Sequence, residues 1–141
     1  PSWITAQTYG ITGALCTRCT SVFVSAPLDY KPRSVAAIIR QSAVSIFVAS
    51  AAFAKRAMSS AESQAWFQSQ RLPSRVRVGA SCGEPLTPAV HGLAMAAISQ
   101  HYINSYWGTE HGAMVLAHAF GNADQPLKSD SRMFPLPWTG A

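Results

Sequence analysis

The nine residues Asn104-Ser105-Tyr106-Trp107-Gly108-Thr109-Glu110-His111-Gly112 gather much chemical variety into one short span. Tyr106 and Trp107 offer a flat stacking surface, and the Thr109 hydroxyl can donate to a phosphate oxygen. The Glu110 carboxylate is a hard oxygen ligand of the kind Mg²⁺ takes. The same residues would also suit a surface turn with one core tryptophan, and their chemistry alone does not separate the two. A second span, Gly83-Glu84-Pro85, combines a glycine that lets the backbone approach a flat ligand with a carboxylate ahead of a helix start. By itself it is an ordinary strand-to-helix turn, with the acidic residue where the helix dipole favours it. His111 directly follows Glu110 and would lie near phosphates bound there, whereas His118 sits on an apolar segment and is expected to pack.

Other candidates carry less. Cys16-Thr17-Arg18-Cys19 has C-x-x-C spacing, but zinc needs four ligands and the remaining thiol is Cys82. The spacings of His91, His101, His111 and His118 match no zinc pattern, and the pair lies at a helix end rather than opening one, so these cysteines read as structural. Ser81 lies between Gly79 and Gly83 in the manner of a nucleophile elbow. No Ser–His–Asp arrangement is recognisable around it, which disfavours a hydrolase, and no Walker-type phosphate loop occurs.

Strands and helices must position these residues. Trp3 to Leu15 is expected to be helical, with Ile4, Ile11 and Leu15 on one side, although Gly10 and Gly13 weaken it. Thr20 to Val24 is β-branched and aromatic and predicts a strand ended by Pro27. Pro32 starts a helix carrying Val35, Ile38 and Ile39 up to Gln41. Val44 to Ala49 is a second strand, and Ser50 caps a helix with Phe53, Ala57 and Met58. Ser59 to Ser69 is a polar loop or short helix ending near Leu72-Pro73. Arg75 to Ser81 is a third strand. Thr87-Pro88 opens a helix whose apolar side is Val90, Leu93, Met95 and Ile98. Tyr102 to Tyr106 is a fourth strand, Met114 to Ala119 a fifth, and Gly121 to Trp138 is mostly irregular.

Alternation of strand and helix implies βαβ units and a mainly parallel sheet covered by helices. Sites in such sheets lie beyond the carboxyl ends of the strands. Ser81 to Pro85 and Ser105 to Glu110 both follow strands and would meet at one crevice.

Composition narrows the function classes. The 141 residues suffice for one domain core, yet 48% are hydrophobic and only 12% charged, against about 25% in typical domains. So apolar a chain is expected to bury surface against something else. Its ends are abrupt, and the remainder of a larger chain is the expected partner. Net charge is +5, but the 11 basic residues are scattered with no run of like charge, which argues against nucleic acid. Ala43 to Ala54 is interrupted by Ser45 and Ser50 and falls short of the ~18–20 residues of a membrane span. With no visible signal segment and three cysteines, a reducing cytoplasm is the expected compartment.

Together these segments resemble the central part of the large N-terminal domain of acetyl-CoA synthetase and related adenylate-forming enzymes. Ser2-Trp3-Ile4-Thr5 is similar to the family's Gly-Trp-Val-Thr, and Cys82 to Pro88 to its Val-Gly-Glu-Pro-Ile-Asn-Pro. Asn104 to Gly112 resembles its Asp-Thr-Trp-Trp-Gln-Thr-Glu-Thr-Gly. Three motifs in order, nearly spanning the chain, make the resemblance specific. It implies an α/β fold, a fragment of the αβαβα adenylate-forming N-terminal domain, with residues 1–141 a partial AMP-binding (adenylation) domain. It implies an ATP-dependent, AMP-forming short-chain acyl-CoA synthetase using ATP, Mg²⁺ and CoA on a small carboxylic acid.

The resemblance assigns Gly83, Glu84, Pro85, Asn104, Ser105, Tyr106, Trp107 and Thr109 to the nucleotide. Thr109 would contact the α-phosphate and Glu110 would hold Mg²⁺. Trp3, Ile4, Thr5, Cys82 and Trp107 would wall the acyl pocket, with the Trp107 indole limiting the acid to short chains. Asn104, Ser105, Gly108 and His111 depart from the family's Asp, Thr, Gln and Thr, and Ala51 stands where many relatives carry proline. These departures, with Gln100 to Asn104 and Phe134 to Trp138, look closer to the synthetase domain of propionyl-CoA synthases, fused enzymes that handle 3-hydroxypropionate. The family's phosphate loop and its C-terminal domain with the catalytic lysine are missing from these residues, so the chain alone is expected to be inactive. A non-catalytic nucleotide-binding or interaction module derived from the same fold is the alternative.

Overall fold

The computed structural model describes residues 3–24, 32–121, 124, 126–130 and 132–140. Ser2 of the first motif and Pro27 lie outside them. The chain opens with a π-helical segment, Ala6–Thr12, that continues into α1 (Gly13–Cys16). After it come α2 (Pro32–Gln41), β1 (Ile46–Ser50), α3 (Ala51–Ala57), α4 (Ala61–Ser69) and β2 (Val78–Cys82). The chain then forms α5 (Pro88–Ala97), β3 (Tyr102–Tyr106) and two-residue strands β4 (Leu116–Ala117) and β5 (Phe134–Pro135).

The sheet order is β1-β2-β3-β4-β5. β1, β2 and β3 run parallel, as the βαβ alternation requires, with Ser50 opposite Cys82 and Ser81 opposite Asn104. β4 and β5 add antiparallel edges, so the sheet is mixed. Side-chain caps start α3, α4 and α5. Ser50 Oγ accepts from Phe53 N at 3.1 Å, Ser60 Oγ from Ser63 N at 3.1 Å, and Thr87 Oγ1 from Val90 N at 3.5 Å. Each satisfies an N–H that the first turn leaves without an intrahelical partner. α3 and α5 pack on the parallel strands, and α4 bridges α2 and α5. Ile39, Phe67, Leu72, Ile98 and Tyr102 are the largest fully buried side chains of the core they enclose.

Gly79 and Tyr102 are register partners across β2 and β3, and the tyrosine ring lies against the glycine backbone. A Cβ on Gly79 would stand 2.4 Å from the ring. The Tyr102 hydroxyl then meets Ser81 Oγ at 2.7 Å, inside the sheet. Ser81 is fully buried and committed to this bond, so it forms no exposed nucleophile elbow.

Some expectations are corrected. Thr20 to Val24 is not a strand: the segment is irregular, with Phe23 62% exposed and no ladder partner among the described residues. The apolar side expected on α5 faces the core: Ile98, just past the helix, is fully buried and Val90, Leu93 and Met95 pack partly buried against the core, with His91, Ala94 and Ala97 the most covered positions of the helix. Met114 to Ala119 pairs only at Leu116–Ala117, and Phe134–Pro135 forms a short strand within the tail expected to be irregular. Cys16 and Cys19 are exposed rather than packed, and Cys82 is buried. His118 packs as expected, its ring 5.8 Å from that of Phe134. Among the described residues no helix is long and apolar enough to cross a membrane.

Candidate functional site

Parallel pairing of β2 and β3 places the turns after both strands side by side at their carboxyl ends. The Ser105 hydroxyl donates to the Ser81 carbonyl at 2.8 Å and fastens the end of β3 to β2. Asn104 and Ser105 are both buried within the sheet, whereas Tyr106, at the last position of β3, and Thr109 and Glu110 beyond it are exposed. The two halves of the Asn104–Glu110 span therefore do different work. The first holds the strand end, and the second presents a ring, a hydroxyl and a carboxylate to solvent.

The presenting half is a single 3₁₀ turn, Thr109–His111, entered at Gly108 and left at Gly112, which has φ +74°. His111 folds back so that its Nδ1 accepts the Gly108 N–H at 2.8 Å, and its ring centre is 6.3 Å from that of Tyr106. With Nδ1 accepting, the proton of a neutral His111 ring sits on Nε2. A carboxylate oxygen of Glu110 also lies against Gly108, 2.8 Å from where a Cβ would stand. A side chain at position 108 would displace that exposed carboxylate from its present place.

Three segments far apart in sequence meet beside this turn. Thr5 Oγ1 lies 3.7 Å from Cys82 Sγ, and the Trp107 side chain also hydrogen-bonds the thiol. Burial pushes the Cys82 thiol up, only partly offset by the bonds from Thr5 and Trp107. It is therefore a neutral wall and not a thiolate nucleophile. Tyr9, one helical turn beyond Thr5, stands edge-on to Trp107 with ring centres 5.4 Å apart. Its Oη accepts the Met114 N–H at 2.9 Å, and burial raises the phenol against the lowering effect of that amide. The neighbouring Thr8 Oγ1 donates to the Gly112 carbonyl at 2.6 Å.

The other turn is built differently. Gly83 has φ +90°, a conformation open to glycine, and the Trp3 indole lies over it, 3.2 Å from where a Cβ would be. Glu84 is held by Lys55 of α3 at 2.6 Å. Thus Trp3, Thr5, Cys82, Gly83 and Trp107 are drawn together, with Ile4 half-buried beside Thr5. Thr8, Tyr9 and Lys55 were not singled out by the sequence. Tyr9 lies four residues after Thr5, and that spacing was the available signal. A cavity of about 390 Å³ lies at the opposite, amino end of the parallel strands, lined by His101, His118 and Phe120 among others. Of the candidate residues, it touches His101 and His118 and none of those assigned to nucleotide, acid or metal. No group of three metal-ligating side chains occurs among the described residues.

Comparison with known proteins decides the family. The model described as "AMP-binding enzyme" matches residues 1–141, the whole chain. The chain belongs to the AMP-binding enzyme family. It is 30% identical over 139 residues to an acetyl-coenzyme A synthetase of Pyrobaculum aerophilum, and 32% identical over 143 residues to that of Methanothrix thermoacetophila. It is 29% identical over 139 residues to the acetyl-coenzyme A synthetase of Pyrobaculum arsenaticum. In each case 96% of the chain is covered but only 20% of the relative, so the chain spans about one fifth of their length.

Proposed function

We propose that the chain is the central portion of the adenylation domain of an AMP-forming short-chain acyl-CoA synthetase. The observation that carries this is the convergence of Thr5, Cys82 and Trp107 on one wall beside the exposed Thr109–Glu110 turn. A wall of one indole, one neutral thiol and one hydroxyl suits a small carboxylic acid, and the adjacent hydroxyl and carboxylate suit a nucleotide phosphate with its metal.

In the reaction, an oxygen of the acid's carboxylate attacks the α-phosphorus of ATP and pyrophosphate leaves. The thiolate of CoA then attacks the acyl carbon, forming the thioester and releasing AMP. Thr109 donates to the α-phosphate, and Trp107 sets the depth available to the acid. Asn104 and Ser105 keep the strand end in place, and Gly83, Glu84, Pro85 and Tyr106 border the adenosine. Glu110, an exposed hard-oxygen donor, fits Mg²⁺, which binds through one or two carboxylates together with substrate phosphates. The metal supplies charge neutralisation as phosphoryl charge develops. The acid is acetate, propionate or 3-hydroxypropionate; the polar Thr5 and Cys82 atoms and the departures at Asn104, Ser105, Gly108 and His111 favour the hydroxylated one.

The full-length protein should catalyse acid-dependent exchange of labelled pyrophosphate into ATP, and Glu110→Gln should abolish it with the fold intact by circular dichroism. The isolated 141 residues should show none. ATP binding by the full-length protein without exchange for any short acid would instead favour a non-catalytic nucleotide-binding module.

A further inference from the structure

The π-helical segment puts two consecutive residues, Thr8 and Tyr9, onto the same loop. Consecutive side chains on an α-helix diverge by about 100°. The wider i→i+5 winding of Ala6–Thr12 reduces that divergence, and such segments recur at functional sites. Thr8 reaches the Gly112 carbonyl, while Tyr9 takes the Met114 N–H and braces the Trp107 ring. The loop from Trp107 to Met114 is thereby tied at both ends and at its left-handed turn, by contacts about a hundred residues distant in sequence. Thr5, on the preceding turn of the same helix, contacts Cys82.

We infer that Thr8 and Tyr9 are positioning residues that couple the width of the acid pocket to the placement of Thr109 and Glu110. This inference rests on the function proposed above. Tyr9 has two separable jobs. Its ring fixes the indole that limits the acid, and its hydroxyl, with Thr8, fixes the turn that meets the nucleotide. A helix shift that moved Trp107 would move Gly112 and Met114 with it.

The separation makes the inference testable in the full-length protein. Tyr9→Phe keeps the ring and loses the Met114 bond, so the KM for ATP should rise about fivefold, the worth of one hydrogen bond, with acid selectivity unchanged. Thr8→Val should behave alike, and Thr8→Ser should restore the parent values. Tyr9→Leu loses the edge contact as well, and the ratio of kcat/KM for two-carbon over four-carbon acids should fall severalfold. Equal losses in kcat for every substrate, or no change in either KM or selectivity, would overturn the inference. Hydrogen exchange gives a readout independent of activity. Amides from Gly108 to Met114 should exchange faster in Thr8→Val and Tyr9→Leu. Unchanged protection there refutes the coupling even if the parent protein is an active synthetase. Faster exchange in a protein that performs no adenylation leaves the tether intact and counts against the proposed reaction only.

Discussion

If the full-length protein has the proposed activity, replacing Trp107 with glycine should turn its preference from short acids to longer chains. The indole is half-buried, held edge-on by Tyr9 and bonded to the Cys82 thiol. Two effects follow from deleting it, and they act on different quantities. Loss of the Tyr9 contact, about 0.5–1.5 kcal/mol for an aromatic pair, and of the thiol bond loosens the site for every acid and lowers all rates together. The vacated volume, by contrast, benefits only acids long enough to enter it. Each methylene moved from water into that space contributes about 0.8 kcal/mol, so three contribute about 2.4 kcal/mol. At 1.36 kcal/mol per tenfold this is roughly a 60-fold gain in kcat/KM for a five-carbon over a two-carbon acid, relative to the parent. Initial rates of pyrophosphate exchange with unbranched two- to six-carbon acids measure the ratio directly. A ratio within about threefold of the parent would mean that Trp107 does not set chain length, whatever happens to absolute rates.

His111→Ala removes the acceptor of the Gly108 N–H and should raise the KM for ATP by about fivefold, with His111→Asn recovering much of it; steady-state kinetics decides. Burial pushes the Tyr102 phenol up to about 12 against an unfolded value near 10. A raised folded value means stability is fully present below pH ~10 and is lost as pH rises through ~12, amounting to about 1.4 kcal/mol between pH 8 and 11. Urea titrations at the two pH values should show this loss, and Tyr102→Phe should flatten it while costing about 1–3 kcal/mol at pH 8 by leaving Ser81 unpaired. Lys55→Met breaks a half-exposed ion pair with Glu84 and should change stability by less than about 1 kcal/mol, measured by thermal unfolding.

Local signals in the sequence were read well where the chain itself satisfies them. Tyr102–Tyr106 forms the strand its pattern predicts, and Ser50 and Thr87 cap the helices they precede. The juxtaposition of the turns after β2 and β3 also followed from strand–helix alternation, because parallel neighbours share their carboxyl ends. Thr20 to Val24 misled because β-branched and aromatic residues mark apolar surface as readily as strand, and Phe23 has no ladder to join among the described residues. On α5, hydropathy marked Val90, Leu93, Met95 and Ile98, all of which meet the core, but it gave no sign that the small Ala94 and Ala97 and the polar His91 are the most covered positions of the helix. The strand expected over Met114 to Ala119 holds β4 at its centre, whereas the two residues of β5 were too few for periodicity to reveal. Tyr9 carried only its four-residue spacing from Thr5, because its partners Trp107 and Met114 are too distant for a local pattern to encode.

The ring of Tyr102 lying across Gly79 constrains the order in which this sheet can change its residues. A lineage that first exchanged Gly79 would pass through an overpacked strand pair. One that first shortened Tyr102 would pass through a cavity and strand the Ser81 hydroxyl. Both single steps descend in stability, and the double exchange restores the fit. Among homologues, the sizes of the side chains at these two positions should therefore vary inversely, with large–large pairs absent and small–small pairs rare.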